Sequence, residues 1–153
     1  VDEISVLIHP EAIIHSMVQF VDGSVLAQLS CPDMKIPIQY ALTYPTRMQN
    51  AYERVDFAAL TGLHFYAPDM KKFPGLVLGY WAARVRGTLP AVMNAADEVC
   101  VERFLRGDLR FDEITTTIER VMVRHAVVPK PTYEDIVAAD QWAREETARL
   151  CQG

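Results

Sequence analysis

The 153-residue sequence has few cysteines, no long apolar run, no basic cluster and no glycine-rich turn. Each absence removes a class of function. A membrane helix needs ~20 consecutive apolar residues and a secretory leader needs a basic segment ahead of an apolar one; neither is present. The 15 Lys and Arg residues are outnumbered by 20 Asp and Glu, the net charge is −5, and the basic residues never run longer than two. Phosphate backbones and anionic headgroups demand clustered positive charge, so neither nucleic acid nor membrane is an expected partner. The three cysteines, Cys31, Cys100 and Cys151, are scattered and form no CxxC pair. They read as free thiols in a reducing compartment, and a cytoplasmic protein is expected. Gly23, Gly62, Gly75, Gly79 and Gly87 fit no dinucleotide-binding fingerprint, and no carboxylate cluster stands at metal-ligand spacing.

What is present is half apolar and 23% charged. A chain of this length buries roughly 70% of its unfolded surface, enough for one domain or two small ones. It opens on Val1 and runs at once into an apolar stretch, Ile4 to Ile8, which reads as a strand. That start is expected of a C-terminal piece of a longer polypeptide. Ser16 to Val21 and Ser24 to Ser30 then form two β-rich runs around Asp22-Gly23, a pair suited to a two-residue type I′ turn. Apolar residues on both faces of this hairpin predict cover on both sides. Asp33 is placed to cap a helix with Pro37 in its first turn and Ile38 to Thr43 as its body, and Pro45 ends it. Leu63 to Tyr66 reads as a further short strand.

From Gly75 onward four helical patterns follow. Leu76 to Arg86 carries Leu76, Tyr80 and Ala83 on one face and stops at Gly87. Pro90 to Arg106 has Val92, Ala95, Ala96, Val99 and Arg103 at helical spacing and stops at Gly107. Asp112 to His125 repeats Ile114, Ile118, Val121, Met122 and His125, and Pro129 and Pro131 close it. The last begins at Thr132 with a capping box completed by Asp135, lines up Ile136, Ala139, Ala143, Thr147 and Leu150, and pairs Asp140 with Arg144 and Glu145 with Arg149. Short loops between such helices predict a small bundle.

The stretch HPEAIIHSMVQFVDGSVLAQLSCPDMKIPIQYALTYP, from His9 to Pro45, closely resembles the later part of the 1-deoxy-D-xylulose 5-phosphate reductoisomerase family. The likeness continues in order through VDFAAL (55–60), FPGLVLGYWAARVRGTLPAVMNAADEVCVERFL (73–105) and IVAADQWARE (136–145). The resemblance implies an α+β chain: the end of an α/β catalytic domain, short strands with a hairpin, followed by a C-terminal four-helix bundle. Residues 1–45 would then close the catalytic and dimerisation domain, 46–74 connect, and 75–153 form the helical domain. It further implies a homodimeric enzyme that uses NADPH with Mg²⁺ or Mn²⁺ and rearranges and reduces 1-deoxy-D-xylulose 5-phosphate to 2-C-methyl-D-erythritol 4-phosphate. In that family the metal ligands, and the Ser, Asn and Lys residues that bind the phosphate, precede Val1. No catalytic, cofactor or metal residue is therefore assigned here, and the isolated piece is expected to be inactive. Ala12 stands where the family has Ser, and Asp97 where it more often has Asn.

Three residues are carried over as the substrate pocket. His15 matches a position close to the substrate, second shell to its phosphate; the alternative is a histidine hydrogen-bonded inside the fold. Pro32 and Met34 match an apolar wall against the sugar-phosphate substrate, and the alternative is a capping loop with Met34 in the core. His9 and His15 lack the helical spacing and the carboxylate or thiol neighbour of a metal pair. Asp97 and Glu98, adjacent on a helix, point about 100° apart, which favours pairing with arginines of neighbouring helices over paired acid–base work. Cys31 reads as a small filler. A rival from another class is a non-catalytic dimerisation or partner-binding module derived from the enzyme. A third option, an unrelated α/β binding protein, requires the ordered matches to be coincidence.

Overall fold

Alternation of small, polar and β-branched residues around Met17 builds β1 (Ile14–Gln19), which pairs antiparallel with β2 (Val25–Leu29). The computed structural model describes residues 3–151, and two units separate within them: residues 6–68, and residues 3–5 together with 69 onward.

In the first unit the hairpin turn is longer than the sequence suggested. The Phe20 N–H donates to the Ser24 carbonyl at 2.9 Å and the Gly23 N–H to the Phe20 carbonyl at 3.0 Å, leaving Val21, Asp22 and Gly23 as a three-residue loop. Gly23 has φ +85°, whereas positive φ outside glycine among the described residues is confined to Ala12 and Arg86, so Asp22 cannot take its place in a type I′ turn. Its carboxylate instead accepts from the Ser24 N–H at 2.9 Å and the Ser24 hydroxyl at 2.6 Å. This local pairing favours the longer loop over the tight one.

The ribbon also departs from expectation in its surroundings. Val18, Phe20, Val25 and Leu26 are exposed within this chain, so the predicted cover on both faces is absent among the described residues. The expected strands at Ile4 to Ile8 and Leu63 to Tyr66 reduce to one isolated bridge, Ile8 with Tyr66. His9-Pro10 breaks the first run, and a single bridged pair cannot propagate a ladder. Past the ribbon, α1 (Lys35–Thr43) begins where the Asp33 carboxylate accepts the Lys35 N–H at 2.9 Å, with Pro37 in its first turn.

The second unit is the helical one: α2 (Pro74–Val85), α3 (Leu89–Arg106), α4 (Phe111–Arg124) and α5 (Tyr133–Leu150). Each lies where a period of apolar residues meets recognisable punctuation. Gly107 ends α3 in the left-handed conformation at φ +84°. The Thr132 and Asp135 box is formed, the Asp135 N–H donating to the Thr132 hydroxyl at 3.2 Å and the Thr132 N–H to the Asp135 carboxylate at 2.9 Å.

The core is built from Leu78 and Ala82 of α2, Leu89, Val92, Ala95, Ala96 and Cys100 of α3, Ile114, Ile118, Val121 and Met122 of α4, and Ala139 and Ala143 of α5. Two expected contacts move. On α2 the buried face is Leu78 and Ala82, not Leu76, Tyr80 and Ala83, because apolar residues nearly encircle this helix and packing against α3 chooses among them. On α5, Arg149 pairs with Glu146 at 2.7 Å rather than Glu145, since Glu146 also takes Arg124 of α4 at 2.5 Å. These two guanidiniums, Arg149 foremost, hold the Glu146 carboxyl down to about 2. Arg144 does reach Asp140, at 2.8 Å, and also Glu98 of α3 at 2.6 Å, so Glu98 is an interhelical partner. Ala95 and Ala96 of α3 and Ala139 and Ala143 of α5 put small side chains into this core.

Buried Thr88 knots the start of α3 to the end of α4. Its hydroxyl accepts the Val128 N–H at 3.1 Å and lies 2.7 Å from His125 Nε2. An oxygen already accepting from Val128 is well placed to donate its proton to the imidazole, which favours the neutral ring, and burial pushes the His125 pKa below its ordinary value. A histidine harder to protonate folded than unfolded contributes stability above its unfolded pKa, near 6.5, and loses it as pH falls below that value. The melting temperature is expected to drop between pH 7.5 and 5.5, and the drop should shrink in His125→Asn. Equal slopes in thermal melts of the two proteins would show that His125 is not the group responsible.

Candidate functional site

The turn between β2 and α1 carries the residues that sequence reasoning singled out. The Asp33 N–H donates to the Cys31 carbonyl at 2.8 Å and the Ile36 N–H to the Asp33 carbonyl at 3.2 Å, a tight winding that leaves Pro32 exposed. Met34 is 71% exposed at the N-terminus of α1 and is not among the core residues. His15 lies in β1 where the register slips: Ile14 faces Leu29 while Ser16 faces Gln28, leaving His15 as the extra residue of a bulge. Bulges re-aim a side chain. Here His15 Nε2 lies 2.9 Å from the Ser30 hydroxyl, which also receives a long contact from Gln28 Nε2 at 3.4 Å.

Beside this turn opens a cavity of about 360 Å³, bordered by Ser30, Cys31, Ile36, Asn50, Tyr52 and Arg54 among others. Ser30 joins His15 to it, whereas His15, Pro32 and Met34 are not in its lining. The 50–57 segment is seated by hydrogen bonds from Asn50 Nδ2 to Gln39 of α1, 2.8 Å, and from the Tyr52 N–H to Asn50 Oδ1, 3.2 Å. Lys35 lies over the Tyr52 ring at 5.7 Å. Arg54 has no ion-pair partner among the described residues and gives this cavity a cation. Sequence reasoning missed Ser30, Asn50, Tyr52 and Arg54; the Asn-x-Tyr spacing carries no chemical signature by itself.

A second constellation forms around Glu11. Its carboxylate accepts from His64 Nδ1 at 2.6 Å and from the His64 N–H at 3.1 Å, and lies 3.0 Å from His9 Nδ1. The His64 ring and backbone hydrogen bonds pull the Glu11 carboxyl down to about 2. His9, its side chain only 7% exposed, also donates from Nδ1 to the His64 carbonyl at 2.8 Å and stacks on Phe65 at 4.8 Å; its buried Nε2 meets no partner among the described residues. His9 and His15 therefore serve different networks.

In the helical unit a larger cavity of about 690 Å³ is bounded by Phe73, Leu76, Asp97, Val101, Phe111 and Thr115 among others. Burial, and then the Glu98 charge, push the Asp97 carboxyl above its usual range. Nothing here resembles a metal centre: among the described residues no three His, Cys, Asp or Glu side chains converge into a metal-holding set. No residue set described fits a divalent cation, and no glycine-rich turn fits a dinucleotide.

Residues 29–146 match the family model of the DXP reductoisomerase C-terminal domain. The 1-deoxy-D-xylulose 5-phosphate reductoisomerase of Ruminiclostridium cellulolyticum is 52% identical over 149 residues, 97% of this chain and 39% of that protein. That of Acetivibrio thermocellus is 51% identical over 144 residues, 94% of this chain and 38% of that protein. Among solved structures, the reductoisomerase of Zymomonas mobilis in complex with NADPH superposes with a TM-score of 0.90 at 38% identity, covering 99% of this chain and 40% of that one. A DOX-P reductoisomerase in complex with magnesium gives 0.85 at 33% identity, covering 95% of this chain and 39% of that one. The chain thus spans about two fifths of the length of the relatives it matches, all of it corresponding to one part of them, and by sequence and fold alike it belongs to the 1-deoxy-D-xylulose 5-phosphate reductoisomerase family.

Proposed function

We propose that this chain is the C-terminal portion of a reductoisomerase that converts 1-deoxy-D-xylulose 5-phosphate to 2-C-methyl-D-erythritol 4-phosphate with NADPH and Mg²⁺ or Mn²⁺, in non-mevalonate isoprenoid synthesis. The observation that carries the reading is a 52% identity sustained across 97% of the chain. Complexes of the solved neighbours with NADPH and with magnesium support the choice of cofactors. The part assigned to this chain is to bind and orient substrate.

In that role His15, carried on the bulge and tied through Nε2 to Ser30, offers its other ring nitrogen to the phosphate end of the substrate. Pro32 and Met34 supply an apolar wall for the carbon backbone. Their exposure supports this reading: burying a methionine side chain against a ligand is worth roughly 1.5–3 kcal/mol. Residues 1–45 complete the catalytic and dimerisation domain, 46–74 connect, and 75–153 are the helical domain. The exposed apolar ribbon of β1 and β2 supports a homodimer formed through its strands. No helix among the described residues is long and apolar enough to cross a membrane, which is compatible with a cytoplasmic enzyme.

The test is substitution in the full polypeptide that carries this chain. His15→Ala should raise KM for the keto-sugar phosphate by about 10- to 100-fold, the loss of one hydrogen bond to a charged group. Met34→Ala should raise it by a smaller factor with kcat little changed. Steady-state kinetics with KM unaltered in both variants would remove these residues from the site.

A further inference from the structure

The turn that precedes β1 is held in a conformation it would not keep unaided. Ala12 has φ +51°, a left-handed setting that costs a non-glycine residue about 1–3 kcal/mol unless its surroundings impose it. Three contacts impose it. The Ala12 N–H donates to the His9 carbonyl at 3.1 Å, closing the turn. Ile8 and Tyr66 exchange two backbone hydrogen bonds of 2.9 Å each, fixing the entry to the turn on the 64–66 segment. Glu11, at the centre, accepts from His64 Nδ1 and the His64 N–H and lies 3.0 Å from His9 Nδ1, and His9 is pinned in turn by the His64 carbonyl and the face of Phe65.

Little slack separates this clamp from His15. The Ile13 carbonyl accepts the Ser30 N–H at 3.1 Å, and the register slip at His15 follows directly. A change in the path of Ala12 is therefore passed along a short, paired stretch into the bulge. We infer that Glu11 and His64 are positioning residues whose clamp sets where the bulge presents His15 to the substrate. The inference rests on the assignment of His15 to the substrate pocket. It concerns a pair 53 residues apart in the chain. The depressed Glu11 carboxyl is consistent with it, since a carboxylate that stays ionised remains a full acceptor for both His64 donors.

The experiment uses the full polypeptide and reads KM and kcat separately, alongside amide hydrogen exchange of residues 12–15 and the melting temperature. Glu11→Ala and His64→Ala are each expected to raise KM about tenfold with kcat within twofold, and to speed exchange across residues 12–15. The double variant should be no worse than either single one, because both remove the same clamp. Glu11→Gln, which keeps one acceptor oxygen, should fall between wild type and Glu11→Ala. If the two alanine variants speed exchange or lower the melting temperature while KM stays within twofold, and His15→Ala still raises KM, the clamp is only structural and the inference is overturned. If His15→Ala itself leaves KM unchanged, the pocket assignment fails first and takes the inference with it.

Discussion

Replacing Gly87 with alanine should unfold the helical unit well below the temperature at which the natural chain melts. Arg86 and Gly87 both take positive φ at the corner joining α2 to α3, +64° and +60°. A Cβ on Gly87 would fall 2.3 Å from the Val128 carbonyl oxygen, 3.0 Å from the Val127 side chain and 3.1 Å from Pro129 Cα. The nearest obstacle is backbone, and it is the carbonyl that accepts the Thr88 N–H at 3.2 Å. It cannot retreat without breaking that hydrogen bond to the Thr88 backbone. Strain at positive φ and a forced shift of backbone together should cost about 3–5 kcal/mol, at the extreme end for a single substitution. For a unit of this size that is on the order of 15–25 °C in melting temperature, read by calorimetry or circular dichroism. Gly79 supplies the control: it lies inside α2, where an added Cβ would meet nothing within 4 Å, so Gly79→Ala should be neutral or stabilising by about 0.5–1 kcal/mol. Indistinguishable melts for Gly87→Ala and Gly79→Ala would mean that the corner is not built as described.

Met122→Ala is the second large effect. Met122 is among the largest side chains with no exposed surface to speak of, in a core it shares with Val121, Leu89 and Val92. Removing it deletes the transfer energy of the side chain and leaves a void that rigid helices close only in part, a loss of about 2–5 kcal/mol. Met34→Ala removes the same atoms from an exposed position and should change stability by less than about 0.5 kcal/mol, whatever it does to substrate affinity. Urea titration of the two variants measures both numbers. A Met34 variant as unstable as the Met122 variant would place Met34 in a core, and with it the alternative reading of the Cys31 to Lys35 turn.

How much of this was legible in the sequence depends on how local the cause is. Helices α3, α4 and α5 were readable because their periodicity and their stops, Gly107, Pro129 and Thr132 with Asp135, act within a few residues of each other. The inward face of α2 was not, because apolar residues lie nearly all round it and only the neighbouring helix decides which are covered. The hairpin was visible but not its register, since one left-handed residue at Gly23 distinguishes a three-residue loop from a two-residue one. Among the described residues the want of a third strand turns on His9-Pro10 leaving a lone bridge between Ile8 and Tyr66. Of the candidate site, His15, Pro32 and Met34 came from family resemblance. The bulge that carries His15, the Ser30 hydroxyl beside it and the cavity residues Asn50, Tyr52 and Arg54 had no local signal. Neither had the pairing of Glu11 with His64, which exists only once distant segments meet.

The buried alanines of α3 and α5 limit what this helical unit can become. Ala95, Ala96 and Ala143 are fully enclosed and Ala139 nearly so. An added methyl at any of them enters an interior that is already closed, at about 1–3 kcal/mol each. Engineering for heat resistance therefore has more room on the solvent faces and at the helix ends than at these four positions, which the smallest chiral residue already fills.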